Sequence, residues 1–273
     1  MSAGAIDLGV LGVGLWAEGL PGWAAARTVL RGDAGWPLAM PGPAPMTLLA
    51  TAERRRASAS VRVAIAVAEE ACAQAGIEAS TLLSVFASTH GELGLTDEIC
   101  RTLAAQPEAM SPTRFHNSVH NAASGYWTIG AGCTEASTAI SAWQHSFAAG
   151  LLEAGVQAAS EQRPVLFVAY DAQASGPLAS MAISGSSFGA ALVLAPFATR
   201  GPRLGLRLDA AGPAPQAPPW PIDNPLAPCL PLFAALARET PASLGFPLAS
   251  GMGLTASIFG PDEGLRGIQE YPR

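Results

Sequence analysis

Short apolar runs rich in Val, Ile and Leu alternate along most of the chain with stretches of helical spacing, and this alternation restricts the fold more than any other feature. Strands are expected at Leu8–Val13, Leu83–Ser88, Tyr126–Ala131, Val165–Tyr170 and Ala190–Leu194. Between them, Ser58–Ala75 places Val61, Ile65, Ala68 and Cys72 on one helical face and stops before Gly76, a residue suited to a helix C-terminus. Helices are also expected at Trp23–Leu30, Glu98–Ala105 and from Cys133 to about Leu152. The pattern predicts an α/β fold, a five-stranded mixed, mostly parallel sheet with helices on both faces. Ligand chemistry then belongs at the C-terminal ends of the strands. Beyond residue 200 the pattern changes: Ala211–Pro228 is crowded with proline, and only a helix at Leu230–Arg238 and a strand at Gly253–Phe259 follow. Residues 1–200 read as one domain and residues 201–273 as a short proline-rich C-terminal extension, an arm with a terminal helix and strand.

Charged residues make up only 13% of the 273, about half the usual share, which points to a surface partly covered by a partner. A net charge of −6 and the lack of a basic stripe argue against nucleic acid. The run Glu53-Arg54-Arg55-Arg56 reads as the solvated start of a helix, with docking of an acidic carrier protein as its rival. Cys72, Cys100, Cys133 and Cys229 form no C-x-x-C pair and no metal-ligand spacing, so they read as reduced thiols of a cytoplasmic protein. The apolar runs are too short for a membrane span.

The segment Phe115 to Ile140, FHNSVHNAASGYWTIGAGCTEASTAI, carries the chemistry. Read as strand, glycine, cysteine and small-residue helix, it places the Cys133 thiol at a helix start, where backbone N–H groups and the positive end of the dipole favour a thiolate. That is the arrangement of a nucleophile elbow. Gly9, Gly12 and Gly14 read as a tight strand-to-helix turn, since their spacing does not fit a dinucleotide loop. His116 and His120 read as loop histidines without a third ligand, so neither metal nor cofactor is implied. His145 lies too far along the expected helix to serve Cys133. His90 follows the second strand at a ligand-facing end, and Asp171 closes the fourth as a capping or turn residue.

Taken together, LGVLGVG with WAAARTVLRGDAGW, AERRRASASVRVAIAVAEEACAQAGI, SVFASTHGEL, SPTRFHNSVHNAASGYWTIGAGC and SSFGAALVLAP resemble the N-terminal half of β-ketoacyl synthases of the thiolase superfamily, over residues 6 to 197. NSVHNAASG, SFAAGLLEA and the VAYD ending resemble truncated, chain-length-factor-like proteins of aryl polyene pathways. The resemblance implies a thiolase-like fold and puts Cys133 at the nucleophile position. It also implies two further side chains, His and His or His and Asn, from HGTGT-like and NxFGFGG-like motifs that do not occur here. Glu135, two residues after Cys133, stands where active relatives carry small residues.

The resemblance therefore implies a non-catalytic subunit with a vestigial Cys133. It would pair as a heterodimer with a full-length β-ketoacyl synthase in polyketide or fatty-acid-like polyene biosynthesis and meet acyl carrier protein only indirectly. The third strand, expected at Tyr126–Ala131, lies at the sheet edge in the thiolase fold and pairs across the dimer axis. Phe115, His116, Asn117, His120, Asn121, Tyr126, Trp127 and Ile129 are then the acyl-tunnel or interface candidates. The alternative is a stand-alone acyltransferase or thioesterase using Cys133, with His90 or His116 as base.

Overall fold

Along the central strands, alternate side chains go to opposite faces, and each face is closed by its own helices. The computed structural model describes residues 5–37, 44–177, 179–182, 184–196, 201–210, 220–249 and 251–260. Its strands are β1 (Ile6–Ala17), β2 (Leu83–Ala87), β3 (Ser137–Ile140), β4 (Val165–Asp171), β5 (Phe188–Pro196), β6 (Arg203–Ala210), β7 (Ala242–Ala249) and β8 (Met252–Phe259). The helices are α1 (Trp23–Arg31), α2 (Thr51–Arg56), α3 (Ala59–Ala75), α4 (Leu93–Ala105), α5 (Pro112–Asn117), α6 (Ala122–Ala131), α7 (Ser146–Glu161), α8 (Ala179–Ala182) and α9 (Leu230–Arg238).

Among the described residues the sheet has eight strands in the order β3-β2-β4-β5-β1-β6-β8-β7, not the five expected. Only β2–β3 and β2–β4 are parallel pairs, and the remaining ladders are antiparallel. The expected mostly parallel sheet is mostly antiparallel, because β5 runs antiparallel to both β1 and β4, and the three additional strands lie beyond residue 200. There β6 pairs with the start of β1, and β8 and β7 extend the sheet outward. Of the proline-rich stretch, residues 211–219 lie outside the described residues, and 220–229 lead directly into α9.

Val165, Phe167 and Ala169 of β4 join one apolar core with residues of α1, α7 and α9. Leu166, Val168 and Tyr170, the intervening positions, join a second core with α3 and α6. In β1 the inward parity runs through Leu8 and Val10, then Val13, Leu15 and Ala17, because a bulge between Val10 and Gly12 inserts a residue. Gly12 and Gly14 lie inside this strand and do not form the expected turn. A Cβ at Gly12 or Gly14 would fall on the backbone oxygen of Ala71 or Val67, so these glycines let α3 lie directly on the sheet. α3 itself follows from sequence. Ser58 caps its N-terminus by accepting from the Val61 N–H at 3.2 Å, and Gly76 ends it at φ 66°. No described helix is long and apolar enough to cross a membrane.

Candidate functional site

The expected third strand is a helix. Tyr126–Ala131 is the C-terminal part of α6, and the strand at the sheet edge is β3, Ser137–Ile140. α6 ends in a Schellman-type cap: Gly132 has φ 59°, its N–H donates to Ile129 O at 3.3 Å, and the Cys133 N–H donates to Thr128 O at 2.8 Å. Cys133 therefore sits at the carbonyl end of a helix, where the dipole disfavours an anion, opposite to what an elbow thiolate needs. Its Sγ–H points to Leu82 O at 3.5 Å, and the residue is only 7% exposed. Glu135 is engaged elsewhere, accepting from Arg163 at 3.0 Å, and that hydrogen bond holds its carboxyl below the usual range.

The strand-to-helix elbow lies ten residues further on. β3 runs parallel to β2, and after Ser141 and Ala142 a 3₁₀ turn, Trp143–His145, feeds α7. Trp143 has φ 53°, in the left-handed region that costs a non-glycine residue about 1–2 kcal/mol. The buried Ser146 pins the turn: its hydroxyl accepts from the Ala142 N–H at 3.0 Å and donates to Trp143 O at 2.7 Å. A strained turn of this kind presents its side chain to the outside. Here that side chain is an indole, 48% exposed, which offers no nucleophile.

Next to the elbow, the ends of β2 and β4 hold a buried polar cluster. Asp171 Oδ1 accepts from the Ser88 hydroxyl at 2.7 Å and the Thr89 N–H at 2.9 Å, and His90 Nε2 stands 4.0 Å away. Burial pushes the Asp171 carboxyl up, against the opposing pull of His90 and these donors. Ser141, just after β3, donates to Thr89 O at 3.0 Å and so ties the elbow to this cluster. His120 approaches Ser88 O at 3.4 Å, and the Tyr170 hydroxyl donates to His120 O at 3.4 Å. Glu92, also buried, accepts from the hydroxyls of Ser58 and Ser60, and burial raises its pKa. These groups brace the loop after β2 and the entry to α6.

The other candidates divide by exposure. Phe115 (64% exposed) and His116 lie on α5, Asn121 stands at the N-cap position of α6 without a side-chain capping bond, and Ile129 (75% exposed) lies on the outer side of α6. Asn117 is buried, accepting from the Tyr126 hydroxyl at 3.3 Å and donating to Arg56 O at 3.4 Å. Trp127 is fully buried, its ring 6.4 Å from that of Phe86, and belongs to the core. The Arg54–Arg56 run lies on α2, where Arg56 pairs with Glu53 at 3.2 Å. Sequence reasoning missed Trp143. The signal was present in the uncharged run STAI, whose Thr138 and Ile140 are β-branched, and in Gly132 as a helix stop.

The fold is shared with solved structures. A ketosynthase in complex with its chain length factor from Xenorhabdus doucetiae superposes at a TM-score of 0.71 with 23% identity, covering 92% of this chain and 99% of the matched chain. A type II PKS acyl-carrier protein in complex with its ketosynthase gives a TM-score of 0.71 at 12% identity, over 94% of this chain and 99% of the other. The ishigamide ketosynthase/chain length factor gives 0.68 at 11% identity, over 93% and 99%. At these identities the likeness speaks for the fold. No curated protein matches the sequence. Residues 23–218, well over half the chain, match the family described as Beta-ketoacyl synthase, N-terminal domain, and the chain belongs to that family.

Proposed function

We propose that this protein is a non-catalytic, chain-length-factor-like subunit that pairs with a full-length β-ketoacyl synthase in polyketide or aryl polyene biosynthesis. The observation that carries the reading is Trp143: the elbow keeps its strained backbone but presents an indole where a member of this family performing acyl transfer needs a thiol. Cys133, buried at the wrong end of a helix, does not supply that thiol, and this weighs against the acyltransferase or thioesterase alternative. The likeness to ketosynthase and chain length factor assemblies supports the same reading.

β3 supplies the means of pairing. It bonds to β2 on one side, stands at the end of the sheet and carries no charge. An open, uncharged edge is an aggregation hazard unless another strand covers it. In the proposed heterodimer β3 meets the ketosynthase, and the exposed Phe115 and Ile129 join the contact. The partner performs the condensation, and this subunit closes its acyl tunnel. The test is co-expression with the full-length ketosynthase encoded beside it, followed by native mass spectrometry. A one-to-one complex is expected; a homodimer that ignores the ketosynthase sinks the proposal.

A further inference from the structure

The loop after β2 carries an unfinished hydrogen-bond set in a dry place. It is closed into a tight turn by the Gly91 N–H, which donates to Ser88 Oγ at 2.8 Å with Gly91 at φ 60°. His90, inside this turn, is pressed against the end of β4. Its side chain is 6% exposed, and its Nε2 lies 4.0 Å from Oδ1 of the fully buried Asp171. Neither ring nitrogen has a hydrogen-bond partner among the described residues, and neither has Asp171 Oδ2. Buried polar atoms are paired in the great majority of cases, so three open ones at one spot mark an arrangement completed only in another state. A bond from an imidazolium to a carboxylate spans about 2.8 Å, and the ring stands roughly 1.2 Å short of it.

We propose that His90 and Asp171 form a proton-operated latch on the elbow: protonation draws the ring onto the carboxylate and fixes the loop after β2, and loss of the proton releases it. A charged ring and an ionised Asp171 cancel, whereas a neutral ring leaves the carboxylate charge in the core with only the Ser88 hydroxyl and the Thr89 N–H to balance it. Imidazole is the side chain whose charge ordinarily changes between about pH 5 and 8. The closed latch stabilises the fold while the ring is charged, and that contribution is lost as pH rises through the transition. The movement reaches the elbow through one bond, because Thr89 O accepts from Ser141 at 3.0 Å. The next residue, Ala142, is tied through Ser146 to Trp143 O, so slackening at Thr89 lets the strained Trp143 backbone relax.

Other titratable groups face this spot. Glu92 follows on the same loop, His120 approaches Ser88 O at 3.4 Å, Tyr170 precedes Asp171, and His145 stands on the elbow. Asp97 of α4 is paired with Arg101 at 3.1 Å. β3, β5 and residues 172–187 bring none, and the first on α7 is Glu153, two turns along. The inference does not depend on the subunit reading, since the chain alone reports it.

The test follows the full chain by proton–nitrogen correlation NMR from about pH 5 to 9, a range that brackets imidazole titration. It reads the Trp143 indole N–H, assigned by its loss in Trp143→Phe, beside the ring protons of His90. The expected result is a single step in the Trp143 signal whose midpoint coincides with the titration of His90. His90→Gln keeps a buried polar side chain but cannot take up the proton, and it abolishes the step. Asp171→Asn removes the opposing charge and moves the midpoint of both signals to lower pH. His145→Gln, on the elbow itself, leaves the step in place. A Trp143 signal that stays still while His90 titrates makes the pair merely structural and overturns the latch, as does a step that follows another histidine or survives His90→Gln. Where His90→Gln fails to fold, the two midpoints in the unaltered chain still decide: coincidence supports the latch, and separation refutes it.

Discussion

Replacing Trp143 by glycine and, separately, by alanine measures the elbow directly. Both changes remove the same indole. About half of it is buried, so on the order of 120 Å² of contact is lost, and both variants are expected to be about 2–3 kcal/mol less stable than wild type. The difference between them isolates the backbone. At an ordinary position glycine is less stable than alanine by roughly 0.5–1 kcal/mol, because it loses more conformational freedom on folding. At φ 53° the order reverses: alanine keeps the left-handed strain and glycine does not, so Trp143→Gly is expected to be the more stable by about 1 kcal/mol. For a chain of this size that is a melting-temperature gap of about 2–4 °C, readable by circular dichroism with matching urea titrations. Alanine equal to or more stable than glycine would show that Trp143 does not occupy a left-handed elbow, and the main argument against catalysis would go with it.

Gly14→Ala puts a Cβ on the Val67 carbonyl oxygen and forces α3 off the sheet, with an expected loss of about 2–3 kcal/mol in urea denaturation; a neutral result would contradict the close α3–β1 packing. Cys133→Ala is expected to leave complex formation and product yield of the ketosynthase pair unchanged, and loss of product with an intact complex would restore the thiol as a catalyst. Glu92 carries a pH signature. Burial raises its folded pKa above the unfolded value near ~4.3, so the folded state binds the proton more tightly. Its stabilising contribution is complete below the unfolded pKa and is lost as pH rises through the folded value. Glu92→Gln is therefore expected to flatten the decline of melting temperature above that pH, and an unchanged slope would rule out this linkage.

The long, strongly patterned elements were legible in sequence. α3 announced itself by its apolar spacing and by Gly76, and β4 and β5 by runs buried on both faces. α9 lies where its apolar run and Arg238 suggested. α6 was misread because Tyr126, Trp127, Thr128 and Ile129 favour strands by type, whereas Ala122 and Ala123 start a helix and Gly132 stops it. That one error moved the elbow from Trp143 to Cys133 and merged β3 with α7 into a single expected helix. β8 lies where the strand Gly253–Phe259 was expected, whereas β6 and β7 were obscured for another reason. β6 alternates Leu204, Leu206 and Leu208 with Arg203, Gly205, Arg207 and Asp209, a period that reads as a half-buried strand, but it stands next to a proline-crowded stretch. β7 contains Pro247, tolerated because among the described residues β7 is an edge strand paired only with β8. The pairing of His90 with Asp171 depends on β2 and β4 being neighbours, which sequence order alone does not reveal.

The elbow's energetics bear on why an indole stands there. An isolated chain carries about 1–2 kcal/mol of backbone strain at Trp143 and leaves half of the ring in water, so the turn is unfavourable by itself. Covering the exposed half buries roughly another 120 Å², worth about 3 kcal/mol, which exceeds the strain. The same closure pairs the edge of β3 that no other described strand covers, on the strand that leads directly into the turn. A relaxed loop with a small residue would serve an independent monomer better on both counts. In the proposed heterodimer the strained turn and the open edge are offset together by one contact, so mutations at either are expected to weaken association more than they weaken the fold of the chain alone.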